Sequence, residues 1–308
     1  MKNDDLTFSE YFKNWMTIYK KGSITNVSYS KYELTLRWVN KISPNLKMKD
    51  LNRLEYQKIL NEYALYHEKQ TTMDFHHHLK ACLLDAFDEG YLNGDPTRKA
   101  VIKGVVQRKK KEKYLSQFEL QLLLKKLKTN GPVNYDWLIL LIAKTGIRFS
   151  EALALTPADF DLNKQLLIIN KTWNYKESTG SFAPTKNKSS IRKIQLDWLT
   201  TSQFAFIIRD LPVDQPIFVK KNKKIFNSTI NDILERRCKS AKIPIITIHG
   251  LRHTHASILL YAGVSIASVA KRLGHASMNT TERVYLHIIN ELENKDIDLV
   301  MRSISNLI

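Results

Sequence analysis

Between positions 98 and 113 the chain carries Arg98, Lys99, Lys103, Arg108, Lys109, Lys110, Lys111 and Lys113 against a single acid, Glu112. A run of like charge this dense cannot enter a hydrophobic core, because each unpaired cation would lose its hydration. It has to run over a surface or between bodies. The turn-forming Gly90-Tyr-Leu-Asn-Gly94-Asp-Pro96 just ahead of it marks where a first body closes. A chain of 308 residues can build two domains, each with its own core. The expected division is a first domain over 1–100, a basic linker over 101–113 and a second domain over 114–308.

Charge then narrows the partner. Lys and Arg number 48 against 30 acids, a net charge of +18, and with ordinary hydrophobic content this describes a soluble protein that meets a polyanion, foremost nucleic acid. A basic membrane-surface protein is the competing class, but the chain has no long apolar span and no amphipathic, lysine-rich terminus. No apolar stretch follows Met1-Lys-Asn-Asp-Asp, so no secretory signal is expected, and Cys82 and Cys238 read as reduced core thiols of a cytoplasmic protein.

Periodicity sets the fold class: mainly α with a small antiparallel β-sheet. In the first domain Phe8, Tyr11, Phe12 and Trp15 recur at helical spacing, as do Tyr29, Tyr32, Leu36 and Val39. Further helices are expected over 51–66 and 72–89. The latter holds His76-His77-His78, which cannot share one helical face and so make an improbable metal site. In the second domain a capping box, Ser116 with Glu119, opens a helix, and the apolar run Tyr135–Lys144 ends at Gly146. Ser150 reads as the N-cap of a short helix, with Arg148 in the turn before it and Glu151 able to orient that arginine. The pattern turns to β over 166–170 and 191–196; Lys186 and Lys188 lie between them at an expected hairpin tip, where either can reach a bound backbone. Helices resume over 198–209 and 228–241.

The last third concentrates groups suited to a phosphate. His249 and Arg252 stand one helical turn apart, and arginine offers a planar fork that matches phosphate oxygens at any working pH. Gly274 reads as the left-handed stop of a helix over 265–273, which would leave His275 at a turn facing open space. Asn279 and Glu282 then form a capping-box arrangement that starts a short helix carrying Tyr285. A phenol with an ordinary pKa of about 10 needs a base or neighbouring cations before it attacks anything. Singly, each motif also describes a solvated face or a packing detail. The helix, turn and helix over 265–286 fit a DNA-groove reader that binds without cutting as well as they fit a catalyst. Zinc at His249, His253 and His255 is disfavoured, because no carboxylate or cysteine accompanies the three.

Taken together, Thr145-Gly-Ile-Arg148-Phe-Ser-Glu151, Thr185-Lys186, His249-Gly-Leu-Arg252-His-Thr, Leu273-Gly-His275 and Tyr285 resemble, in the same order, the motifs of the tyrosine recombinases, the phage-integrase family. The resemblance covers nearly the whole chain. It implies a helical core-binding (SAM-like) domain, a basic linker and a mixed α/β catalytic domain. It implies Arg148 and Arg252 as a phosphate clamp, Lys186 as general acid, His249 and His275 as supporting donors, Tyr285 as nucleophile and Glu151 behind the clamp. Arg98, Lys103, Arg108, Lys109, Lys110, Lys111 and Lys113 would lie along the DNA backbone. The expected partner is double-stranded DNA at recombination sites, bound by a homotetramer that is a monomer or weak oligomer when free, with DNA-bending and excision factors as accessories and neither cofactor nor metal. In this family an amphipathic tail such as 286–308 often docks on a neighbouring protomer. Many integrases of mobile elements also carry a small N-terminal domain for arm sites. This sequence opens directly on core-binding helices, which fits a simpler subgroup or a chain relieved of that domain.

Overall fold

A computed structural model describes residues 5–106, 114–176, 180–185, 187–220, 223–282 and 285, and the chain divides into two compact units between positions 110 and 111. The first unit is built on α1 (Phe8–Tyr19), α2 (Asn26–Ile42), α3 (Arg53–Ala64) and α4 (Lys69–Asp88). A capping box opens α1: the Thr7 hydroxyl accepts from the Glu10 N–H, and the Glu10 carboxylate accepts from the Thr7 N–H. The helix then buries Phe8, Phe12, Trp15 and Met16 in one core with Val39, Tyr56, Leu60, Leu79 and Leu83. Its amphipathic rings keep polar partners, Trp15 Nε1 donating to Asp85 at 2.6 Å and the Tyr11 hydroxyl to Glu89 at 2.9 Å. The three adjacent histidines diverge as helical geometry requires: His76 is buried against the Tyr56 hydroxyl, His78 meets Thr35 Oγ1, and His77 faces solvent.

The expected linker starts later than charge alone suggests. Residues 101–105 are strapped to the first unit: Gln57 exchanges two 2.9 Å hydrogen bonds with the Val101 backbone, and the Val105 N–H donates to the His67 carbonyl. Arg98 and Lys103 are exposed there, whereas Arg108, Lys109, Lys110, Lys111 and Lys113 lie outside the described residues. So do Lys186 and the tail 286–308.

The second unit runs α5 (Gln117–Lys126), α6 (Tyr135–Thr145), α7 (Phe149–Leu153), β1 (Phe160–Asp161), β2 (Leu166–Ile169), β3 (Lys171–Trp173), β4 (Phe182–Pro184), β5 (Arg192–Gln195), α8 (Trp198–Ile208), α9 (Asn227–Ala241), α10 (Ile248–Tyr261) and α11 (Ile266–Leu273). The capping box of Ser116 and Glu119 forms as expected. β1, β2 and β5 make an antiparallel sheet with Leu167 opposite Ile194 and Ile169 opposite Arg192; β3 and β4 form a separate hairpin. These two strands, three residues each, are too short for a period-2 signal. β4 pairs with β3 from Phe182 to Pro184, so Lys188, which follows that strand, is not at the hairpin tip; it is exposed and begins a 3-10 turn ahead of β5. No helix among the described residues is long and apolar enough to cross a membrane. Cys82 and Cys238 are both buried and unbridged.

α10 is the hub. It packs along the largely apolar α6 and against α11, and His255 ties the three together: its Nδ1 donates to the Ala143 carbonyl at 3.1 Å, and its Nε2 accepts from Arg272 Nε at 2.9 Å. Burial first, then Arg272, pushes this imidazole down to about 3. An unfolded chain protonates the ring near 6.5, so between these values the unfolded state binds the extra proton. The His255 contribution is intact above about pH 6.5 and fades as pH falls towards 3. Urea midpoints should therefore drop more steeply from pH 7 to 4.5 in the wild type than in His255→Gln; parallel curves would contradict this account of His255.

Candidate active site

Two helices of the second unit end in glycines in the left-handed region, α6 at Gly146 (φ 68°) and α11 at Gly274 (φ 69°). Only glycine fits here. A Cβ on Gly146 would lie 2.7 Å from the His255 ring, and one on Gly274 would lie 2.9 Å from an Arg192 guanidinium nitrogen. The last carbonyls of a helix lack intrahelical donors and carry its negative partial charge. In this protein arginines fill those positions. Arg252 donates through its two terminal nitrogens to the Gly146 carbonyl at 2.7 Å and the Leu273 carbonyl at 2.8 Å. Arg148 reaches the Gly274 carbonyl at 2.9 Å, and Arg192 Nε the Arg272 carbonyl at 2.7 Å.

Glu151, 1% exposed, sits between two of these cations. One carboxylate oxygen accepts from Arg148 at 2.7 Å; the other accepts from Arg192 at 2.9 Å and from the Arg148 backbone N–H at 2.9 Å. Burial by itself would raise this carboxyl, but Arg192 foremost and then Arg148 outweigh it and hold it below the usual carboxylate range. The Arg148 backbone bond also corrects the helix start: Arg148, not Ser150, is the N-cap of α7, because the Glu151 side chain reaches back to its N–H. Arg252 is 3% exposed, and burial, with Arg148 close by, pushes it down to about 9, so it remains charged at neutral pH.

His275 does not face open space. It is half-buried, its Nδ1 sharing a 2.7 Å hydrogen bond with Thr281 Oγ1, and burial first and Arg252 second push it down to about 4. The following helical stretch starts at 278 and is capped by the Ser277 hydroxyl, which accepts from the Asn279 N–H, so Asn279 and Glu282 are not its capping box. His249 is exposed on α10; partial desolvation, then Arg252 and Arg148, lowers its pKa. Both imidazoles are therefore neutral near pH 7, each with one donor and one acceptor nitrogen.

Tyr285 is 2% exposed, and its hydroxyl lies 2.9 Å from His253 Nδ1. Burial pushes the phenol up while the nearby Arg252 pulls the other way. Arg148, Arg252, Glu151, His275 and Tyr285 thus gather where α6, α7, α10 and α11 meet, with His249 at its exposed side. His255 spends both ring nitrogens on protein partners, and no group of three His, Cys, Asp or Glu suited to a metal occurs among the described residues.

Two residues of this site escaped the sequence reading. The run 191–196 invites an inward Ile191, yet Ile191 is 57% exposed and the buried face is Arg192, Ile194 and Leu196. Counting by twos back from Leu196 and Ile194 would have found the arginine. His253 gives a signal of its own, one turn beyond His249 on the same helix, which the sequence alone ties to a metal site rather than to Tyr285.

Comparison with known proteins identifies the family of the chain. Residues 113–291 match the model of the phage integrase family. The integrase of Staphylococcus phage L54a is 29% identical over 172 residues, 50% of this chain and 48% of that protein, so this chain spans about half of that relative. A protein named tyrosine recombinase XerC-like from Caldanaerobacter subterraneus is 24% identical over 326 residues, 96% of this chain and 82% of the relative. Among solved structures, the Tn1549 transposon integrase in complex with a circular intermediate DNA superposes with a TM-score of 0.75 at 16% identity, covering 90% of this chain and 94% of the other. A lambda integrase tetramer bound to a Holliday junction gives 0.65 at 16%, covering 90% and 79%. At such identities the structural likeness speaks for the fold, while the family model, spanning more than half of the sequence and every helix that builds the arginine cluster, shows that the chain belongs to the phage integrase family.

Proposed function

We propose that this protein is a site-specific DNA recombinase that cleaves and rejoins strands through a 3′-phosphotyrosyl link, integrating or excising a mobile element such as a prophage. The observation that carries the reading is the pair of guanidiniums, Arg148 and Arg252, braced from behind by Glu151 and helix-end carbonyls beside the buried phenol of Tyr285. Membership of the phage integrase family supports it, as does the likeness to a transposon integrase caught on DNA.

The chemistry follows from the donors. A phosphodiester gathers charge on its nonbridging oxygens as it becomes five-coordinate, and fixed guanidiniums stabilise that charge without having to reorganise. Each well-aimed donor is worth about 3 kcal/mol, by analogy with oxyanion holes. Arg252 spends two of its five N–H groups on carbonyls, leaving the others for phosphate oxygens. Neutral His249 and His275 add donors from either side. Tyr285 attacks phosphorus, the bond to the 5′ oxygen breaks, and Lys186 gives that oxygen its proton. The phosphotyrosyl ester keeps the energy of the broken bond, so a second 5′-hydroxyl can reseal it.

We assign double-stranded DNA at recombination sites as substrate, engaged by four protomers at synapsis, as a lambda integrase tetramer is on its Holliday junction. Accessory bending and excision factors, and work on DNA in the bacterial cytoplasm, belong to the same proposal. The basic stretch from Arg98 to Lys113, the tail 286–308 docked on a neighbour, and the exposed Lys193 and Lys271 are its expected contacts beyond the site. A groove reader that only binds would leave the buried Arg-Glu-Arg arrangement without a use.

Incubation with a nicked suicide site should trap a protein–DNA adduct that survives denaturant, and Tyr285→Phe should abolish the adduct while retaining DNA binding. An unchanged adduct in the Phe variant would remove Tyr285 from the mechanism. Glu151→Gln would leave Arg192 buried without its counter-ion, so denaturation should show a loss of about 3–5 kcal/mol. Single-turnover cleavage should also fall at least about tenfold, because Arg148 loses its brace. Wild-type stability and rate in that variant would contradict the role given to Glu151.

A further inference from the structure

Tyr285 must shed a proton to attack, and the residues that brace the clamp do not receive it. Burial holds the proton on the phenol, so an acceptor must lie within hydrogen-bond reach. His275 commits Nδ1 to Thr281, and His249 sits on the exposed side of α10 with its ring perpendicular to that of His253, centroids 4.8 Å apart. The hydroxyl's hydrogen-bond partner among the described residues is His253 Nδ1 at 2.9 Å, the two rings being 5.8 Å apart. On α10, Arg252 turns inward to the helix-end carbonyls while the next position, His253, is rotated by about 100° and meets the phenol.

We propose that His253 is the base that takes the Tyr285 proton during strand cleavage and returns it during resealing, an inference that rests on Tyr285 being the nucleophile. In cleavage the phenol oxygen bonds to phosphorus and its proton passes to His253 Nδ1. The bond from phosphorus to the 5′ oxygen breaks, and that oxygen leaves as a hydroxyl with a second proton from the general acid. In resealing the 5′-hydroxyl attacks, its proton returns to that acid, and the departing phenolate recovers its own from His253. No proton is consumed over the cycle.

The surroundings give this transfer a condition. Among the described residues, His249 from the same helix, Tyr285 and His275 from the segment after α11 lie about His253, and Arg252 and Arg148 act on both of those other imidazoles. With Arg252 and Arg148 nearby, an imidazolium formed here is opposed until a phosphate brings negative charge, so the nucleophile is activated only on an occupied site. Without DNA the phenol stays protonated and inert.

The test is single-turnover cleavage of a suicide DNA site by the full chain, over pH and with added imidazole. His253→Ala should cleave about 10²-fold more slowly at unchanged DNA affinity. It should lose the acidic limb of the pH profile and recover part of its rate in imidazole, whereas His253→Gln, which keeps a hydrogen-bonding group near the phenol, should stay slow. Wild-type rates in both variants, or a slow rate with an unaltered pH profile and no response to imidazole, would overturn the assignment. A wild-type protein that forms no adduct, or an adduct that persists in Tyr285→Phe, would sink the nucleophile and His253 with it. An adduct lost in Tyr285→Phe but formed at full speed by the His253 variants would sink His253 alone.

Discussion

A carboxylate with almost no exposure to water stays ionised only where fixed cations replace its hydration, and Glu151 has two, Arg148 and Arg192. The arrangement works in both directions. The carboxylate lets Arg192 be buried on the inner face of β5, and it fixes the plane of Arg148, whose side chain is only partly covered. A single acid thus joins the sheet to the start of α7 and gives the partly exposed Arg148 a rigid back wall.

The helix ends extend this principle. Left-handed glycines at the close of α6 and α11 turn the backbone so that unpaired carbonyls converge, and those carbonyls hold Arg252, Arg148 and Arg192 by uncharged hydrogen bonds. Uncharged acceptors orient the guanidiniums while leaving much of the positive charge uncompensated for an anion. With one acid among three arginines, the cluster is short of negative charge in the way a phosphate site has to be. Burial first, and the same excess after it, keeps His275 and His249 neutral, so each retains one ring N–H and adds no further cation.

Much of this was legible in the sequence. Capping boxes, the apolar run of α6, the stops at Gly146 and Gly274 and the switch to short strands are local signals, and local signals survive without tertiary context. Arg148, Glu151, Arg252, His275 and Tyr285 stood out because their spacing matched a family. Arg192 did not, because an isoleucine-rich run suggests an apolar inner face and only the pairing of Ile169 with Arg192 reveals which alternate residues point inward. The cap of α7 was misread for a similar reason: Ser150 is the better capping residue by propensity, but a glutamate three places after Arg148 satisfied the N–H first. The charge run of 98–113 suggests a tether from position 101 on, and only the hydrogen bonds to Gln57 and His67 place residues 101 and 105 against α3 and the segment after it.

The central claim is that one phosphate is gripped by Arg148 and Arg252 while Tyr285 attacks it. The most direct measurement is a crystal structure of the protein trapped on a suicide DNA site. The account predicts a phosphorus atom bonded to the Tyr285 phenol oxygen, with nonbridging oxygens within hydrogen-bond distance of both guanidiniums and Glu151 still spanning Arg148 and Arg192. A phosphorus bonded to another side chain, or a scissile phosphate lying outside the reach of either arginine, would contradict it.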